Sequence, residues 1–173
     1  MTKFGFKKIA KNNWLKPDPV LRGFVRVSPD GRSQRLTGDD YLNLVLKPRL
    51  LESVPTEVQA LFEVARGTMV YGYFFYPLYT LAGEQLFRVA ESAILHRCKG
   101  LGAPRSSDTL KKKIEWLIGQ EIISESELNR WEAIRGLRNV ASHPDCQSIF
   151  TPGMAIRFLE GIAEQINSIF RGG

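Results

Sequence analysis

From Pro55 onward, apolar residues recur at helical spacing in five successive segments. An amphipathic helix buries one stripe of side chains, and that stripe repeats every three or four residues because 3.6 residues make one turn. The spacing predicts helices over about 56–66, 78–99, 108–118, 125–142 and 152–170. Short loops between such helices favour antiparallel neighbours. The predicted fold class is therefore all-α, a four- to five-helix antiparallel bundle.

Capping signals support three of these helix starts. Ser107 or Asp108 is the expected N-cap of the third helix, Ser124 of the fourth and Thr151 of the fifth. Their side-chain oxygens can accept hydrogen bonds from the N–H groups that the first helical turn leaves without partners.

The first 50 residues form a basic extension before this bundle. They hold eleven basic and four acidic residues, a net charge of +7, while the rest of the chain holds thirteen and fourteen, a net charge of −1. The turn signal Pro29-Asp30-Gly31 follows β-prone residues 24–27 and precedes 32–36, which predicts a small β-hairpin. We therefore divide the chain into an extension, 1–50, and a helical bundle, 51–173. Its charge favours an anionic partner, and the extension is a candidate nucleic-acid-binding element on its own.

Several function classes find no support in the sequence. Two cysteines, Cys98 and Cys146, are too few for a disulfide framework, and without a metal-ligand cluster we expect no metal or other cofactor. A reduced, cytoplasmic setting is the expectation. The N-terminus lacks an apolar run of signal-peptide length, and the apolar stretch 69–82 is interrupted by Gly72 and Pro77. We expect no contact with a membrane.

The most informative segment is the end of the fourth predicted helix, which contains Arg138, Asn139 and His143 followed by Pro144. Proline disfavours helical geometry in the residue before it. The helix should therefore loosen at His143 and let the imidazole fold back towards Arg138 and Asn139. The three side chains can then converge on one ligand.

Such a trio suits cleavage of RNA. The 2′-hydroxyl of RNA is an internal nucleophile. Histidine can transfer a proton near neutral pH, and arginine can stabilise the charge that develops on the phosphorus centre. Asparagine can orient the histidine or hydrogen-bond a phosphate oxygen.

The segment Arg138-Asn139-Val-Ala-Ser-His143 resembles the R-N-x-x-x-H motif of the HEPN superfamily, which comprises small α-helical bundles. The segment Arg88-Val-Ala-Glu91 is similar to the family's earlier Arg-x-x-Glu helix. The resemblance covers roughly residues 55–170. It gains specificity because the motif ends the penultimate helix of an all-helical chain.

The resemblance implies a bundle that forms homodimers with the motif at the interface. It also implies a metal-independent endoribonuclease that leaves a 2′,3′-cyclic phosphate, as in toxins of toxin–antitoxin pairs and in anti-phage defence effectors. Arg138 and His143 would be catalytic, and Asn139 would be their polar partner. The expected partners are RNA and an antitoxin protein. Other family members bind nucleotides or proteins without cleaving RNA, and this non-catalytic function is the alternative.

Residues next to the motif have two interpretations each. Arg135 and Ser142 lie on one helix face with Trp131 and Arg138, and they can extend an RNA-binding strip. An exposed, solvated Arg135 is the alternative. Trp131 is expected to pack in the core, or else to stack on a base. His143 can simply cap the helix end.

The carboxylates leave further alternatives open. Arg138 can form a salt bridge with Glu132, Glu91 or Glu84 instead of binding a phosphate. Arg88 and Glu91 can support the motif, while the simplest expectation for Glu84 and Arg88 is a surface ion pair, one turn apart. These pairings are tested by the structure below.

Overall fold

A computed structural model describes residues 5–141 and 150–171. In these residues a short 3₁₀ turn, Pro19–Gly23, and a β-hairpin precede six α-helices. The strands of the hairpin are β1 (Val25–Val27) and β2 (Ser33–Arg35). The helices are α1 (Gly38–Leu46), α2 (Thr56–Tyr71), α3 (Leu78–Gly100), α4 (Leu110–Gly119), α5 (Glu125–Ala141) and α6 (Pro152–Phe170).

Helix α3 is the centre of the bundle. It packs against α2, α4, α5 and α6, and ten of its 23 residues are buried, which requires apolar side chains on more than one face. The all-α prediction is confirmed, and the predicted helices correspond to α2 through α6. Across the described residues, no helix is both long enough and apolar enough to span a membrane.

Two helix starts show how the caps work. Thr151 caps α6 as predicted, because its Oγ1 accepts the Met154 N–H at 3.2 Å. The predicted cap of α4 is wrong by one or two residues. Thr109 is the cap, and its Oγ1 accepts the Lys112 N–H at 3.2 Å, because Thr109 is the extended residue directly before the first helical turn. Asp108 instead binds the Lys112 side chain.

Helix α1 lies within the predicted extension and was not expected. Its N-cap Thr37 exchanges hydrogen bonds with Asp40 in a capping box. Tyr41 and Val45 are buried, and the Tyr41 hydroxyl donates to the Met69 carbonyl at 3.0 Å. The first 50 residues thus contribute to the same core as α2 and α6, while the division at residue 50 stays a prediction.

The turn between α2 and α3 is tight. A Cβ atom on Gly72 would lie 2.6 Å from the Tyr79 ring, so only glycine fits there. Asp18 joins the extension to this turn. Its N–H donates to the Tyr73 carbonyl at 3.0 Å, and its carboxylate accepts the N–H groups of Val20 and Tyr76, each at 3.1 Å.

The β-hairpin forms within the residues predicted for it, 24–27 and 32–36. Strands β1 and β2 pair antiparallel, with Val25 opposite Arg35 and Val27 opposite Ser33. The turn between them closes through the Ser28 hydroxyl, which donates to the Arg32 carbonyl at 2.9 Å. A two-stranded hairpin is marginal alone, and here Leu36 and Phe24, which flank it, pack on the core.

A buried lysine orders the segment before the 3₁₀ turn. Lys7 is 5% exposed, and its ammonium donates to the carbonyls of Asn13, Trp14 and Lys16 at 2.8, 3.3 and 2.7 Å. Burial lowers the pKa of Lys7, and the negative charge of Asp18 partly opposes this shift. Because the ammonium satisfies three carbonyls, residues 10–16 are held as a compact loop.

Candidate functional site

Helix α5 carries the candidate site at its C-terminal end. The helix starts after Ser124, whose N–H and hydroxyl both donate to one Glu127 carboxylate oxygen, at 3.2 and 2.9 Å. It packs against α3 and α4, with Trp131 and Ile134 buried. This packing turns Arg138 and Asn139 outwards, and both are exposed.

Arg138 joins the two segments of the chain that carry the HEPN resemblance. Its Nη2 lies 3.4 Å from Oε2 of Glu91 on α3, and its Nη1 lies 3.5 Å from Oδ1 of Asn139. Its side chain is 44% exposed and that of Glu91 is 43% exposed, so the pair is open to solvent. Among the three glutamates considered as partners, Glu91 is thus in contact with Arg138.

Arg135 is engaged on its own helix. Its Nε and Nη2 donate to one oxygen of Glu132, at 2.9 and 2.6 Å. The hydrogen bond and charge of Glu132 raise the pKa of Arg135. A phosphate that binds Arg135 would therefore compete with a carboxylate one turn away, while both side chains keep about a third of their surface exposed.

Arg88 lies on α3, one turn before Glu91, and is exposed. Within residues 5–141 and 150–171 no ion pair joins it to Glu84, so the predicted pairing of these two residues is wrong. Exposed pairs at this spacing gain only about 0.3–0.5 kcal/mol, too little to hold two long side chains in one geometry. Arg88 is therefore an exposed residue of α3, one turn before Glu91.

Trp131 does not form a stacking platform. It is 1% exposed, which confirms the packing prediction and leaves no ring face for a base. Leu137, by contrast, is 47% exposed and lines an apolar groove with Phe158 and Ile162 of α6. The sequence pattern places Leu137 on the apolar face with Ile134, but α6 does not close over that position.

Two predicted site residues, Ser142 and His143, lie outside the described residues. The convergence of His143 with Arg138 and Asn139 therefore stays a prediction. The described part of the site consists of Arg138, Asn139 and Glu91, with Arg135 and Arg88 on neighbouring turns.

No protein-family model, curated protein or solved structure matches this chain. The HEPN resemblance therefore stays a prediction from the sequence. It depends on the Arg138–His143 motif, on the Arg88–Glu91 segment, and on where these lie in the bundle.

Proposed function

We propose that the chain is a metal-independent endoribonuclease of the HEPN type, with Arg138, Asn139 and His143 as its catalytic residues. The contact between Arg138 and Glu91 carries the proposal. These residues belong to two short sequence patterns and lie 47 positions apart, yet their side chains meet on the surface of the bundle. The contact thus joins the two segments on which the resemblance depends, on helices α3 and α5, which pack against each other.

The reaction is an internal transesterification. The 2′-oxygen forms a bond to phosphorus while the bond from phosphorus to the 5′-oxygen breaks. His143 accepts the 2′-hydroxyl proton, and the leaving 5′-oxygen takes a proton from a second imidazole, which a homodimer supplies. Arg138 stabilises the charge on the phosphorus centre. The products are a 2′,3′-cyclic phosphate and a 5′-hydroxyl end.

The Arg138–Glu91 contact suits this role because it orients a cation without burying it. A guanidinium presents five N–H donors in one plane. A carboxylate that binds one edge therefore fixes the orientation of that plane, and the donors on the other edges can bind a phosphate. The exposure of Arg138 means that RNA can reach it without any unfolding of the bundle. Glu91 is then a positioning residue that acts through Arg138.

The first experiment measures cleavage of single-stranded RNA in the presence of EDTA. We expect the wild-type chain to cleave and His143→Ala to lose about 10²–10⁴-fold in rate, the usual share of a general acid or base. Product ends should carry the cyclic phosphate. A matched control is Arg105→Ala, an exposed residue in the loop between α3 and α4, which should cleave like wild type.

Equal activity of His143→Ala and the wild type would refute the site. RNA with 2′-O-methyl groups gives a second check, because it lacks the nucleophile and must resist cleavage. Cleavage of that RNA would refute the reaction, even if the site assignment held.

The proposed biological setting is a cytoplasmic toxin or anti-phage effector that is restrained by an antitoxin protein. We expect expression of the wild-type chain to arrest growth of a bacterial host, and His143→Ala to relieve the arrest. The proposed homodimer is measured by light scattering of the purified chain. A monomer with full cleavage activity would contradict a site that is shared between two copies.

A non-catalytic nucleotide- or protein-binding module is the second candidate. It is favoured by the engagement of two of the three arginines on α5, Arg135 and Arg138, with carboxylates in the structure. This candidate predicts that wild-type and His143→Ala chains are equally inactive on RNA. It also predicts that both bind the same ligand with equal affinity in calorimetry.

A further inference from the structure

A solvent-open cavity of about 230 Å³ lies where the N-terminal extension meets the turn between α2 and α3. Lys16, Arg22 and Arg35 line it, together with Asp18 and Tyr73. The three cations come from three different segments: the loop held by Lys7, the 3₁₀ turn, and strand β2. All three lie within one stretch of 20 residues, and the packing of this stretch against Tyr73 places them around one concave surface.

The positive charges that line this cavity are not neutralised by ion pairs among the described residues. Within the described chain, the side chains of Lys16, Arg22 and Arg35 have no ion-pair or hydrogen-bond partner, and all three are exposed. Asp18 is the one carboxylate of a described residue in the lining, and both of its oxygens already accept backbone N–H groups. An anion entering the cavity would therefore meet three cations and a carboxylate whose charge is compensated by donors.

The backbone that carries these cations is ordered before any ligand arrives. Lys7 donates to the carbonyl of Lys16 at 2.7 Å. Asp18 caps the 3₁₀ turn that bears Arg22, and Arg35 is paired with Val25 in the hairpin. A site whose backbone is already in place spends less binding free energy on ordering itself.

We infer that this cavity binds the phosphodiester backbone of single-stranded nucleic acid. Lysine and arginine are the residues that contact phosphates, and the half-buried Tyr73 ring gives the cavity an aromatic wall for a sugar or base. The volume is smaller than the roughly 300–1,000 Å³ of sites that enclose a whole small molecule. A phosphate with its sugar, as part of a longer strand, fits this size better than a free nucleotide. The inference holds whether or not the chain cleaves RNA.

The test measures binding of a fluorescent 2′-O-methyl oligouridylate, about eight nucleotides long, by polarisation. This RNA cannot be cleaved by its own 2′-oxygen, so binding is read without catalysis. We expect Arg22→Gln/Arg35→Gln to weaken binding at least about tenfold and to reduce the slope of log K against log salt by about 1.4, for two lost phosphate contacts.

The matched control is Lys8→Gln/Lys11→Gln. Both lysines are exposed in the same extension but do not line the cavity, so the net charge falls by the same amount. Binding of this control should change less than about threefold, because remote exposed charges act only through a screened field. An equal loss in both double variants would overturn the site and leave only general attraction.

A second measurement locates the bound strand. An oligonucleotide with 4-thiouridine, irradiated in complex with the full chain, should cross-link to peptides that contain Arg22, Arg35 or Tyr73. Cross-links confined to other peptides would overturn the inference. Competition by uridine monophosphate as strong as by the oligonucleotide would also overturn it, because the cavity would then bind free nucleotides.

Discussion

The end of α5 and the cavity at the N-terminal extension both present arginines, but they treat the charge in opposite ways. Arg135 and Arg138 on α5 each contact a carboxylate, Glu132 and Glu91 respectively. In the described residues lining the cavity, Lys16, Arg22 and Arg35 have no such partner. The arginines of α5 are therefore held in a defined orientation by carboxylates, whereas the cations of the cavity can bind an anion without first losing a partner.

The net charge of a region does not indicate where the proposed active site lies. Long-range attraction of RNA depends on uncompensated charge, whereas transition-state stabilisation depends on a donor at a fixed position. The near-neutral bundle can therefore hold the proposed active site while the basic extension supplies affinity. Variants in the two regions should then change different kinetic constants.

Among the variants that distinguish the two regions, Arg138→Ala is expected to have the largest effect, which is on turnover. Loss of the group that stabilises the phosphorus centre should lower kcat by about 10²–10³-fold, while the affinity for uncleavable RNA stays within about threefold. The measurement is steady-state cleavage together with polarisation. If Arg138→Ala weakened binding as much as it slowed turnover, the distinction between the two regions would fail.

A smaller effect is expected when the extension is detached from the bundle. Asp18→Ala leaves the buried N–H of Tyr76 without its acceptor, which costs about 1–3 kcal/mol, or roughly 5–150-fold in the local opening equilibrium. Hydrogen exchange over residues 5–36 should speed up by that factor, and RNA binding should weaken.

Asp18→Asn is the conservative control for this change. It keeps one carbonyl oxygen as an acceptor, so its effect should be smaller than that of alanine. Unchanged exchange in Asp18→Ala would show that the cavity does not depend on this anchor.

The smallest expected effect belongs to Glu91→Gln. The amide oxygen can still accept a hydrogen bond from Arg138, so kcat should stay within about threefold of wild type, whereas Glu91→Ala should lower it by about tenfold. A double-mutant cycle separates positioning from a direct role, because Glu91→Ala should cause no further loss when Arg138 is already alanine. Additive losses would mean that Glu91 acts on RNA independently.

The periodicity of the sequence predicted the bundle well because helices α2 to α6 bury long stripes at helical spacing. It missed α1, a nine-residue helix with only Tyr41 and Val45 buried, whose leucines 42, 44 and 46 are more than a third exposed. The Thr37–Asp40 capping pair was the available signal. A short surface helix has too few buried apolar residues to produce a clear helical periodicity in the sequence.

Only those residues of the candidate site that are close together in sequence could be predicted. The motif on α5 reads directly from Arg138 to His143, but its partner Glu91 could be named only among three glutamates. The sequence indicated a basic extension, but it could not show which of its cations line a cavity, since that depends on how residues 16–36 pack against Tyr73. The charge count of the extension predicted a positively charged surface, and only the packing of the chain shows where the cavity lies.

The buried ammonium of Lys7 has a consequence for mutational tolerance. Helix α6 is held by ten buried residues, so the loss of any one is shared among many contacts. The loop of residues 10–16 is held by fewer groups: the Lys7 nitrogen serves three carbonyls, and the Asn13 side chain accepts from the Ala10 N–H and donates to the Lys8 carbonyl. Even arginine is a poor substitute for Lys7, because a planar fork cannot reproduce the three directions of an ammonium. Substitution of Lys7 is therefore expected to disturb residues 10–16, although most of the side chains of this loop lie at the surface.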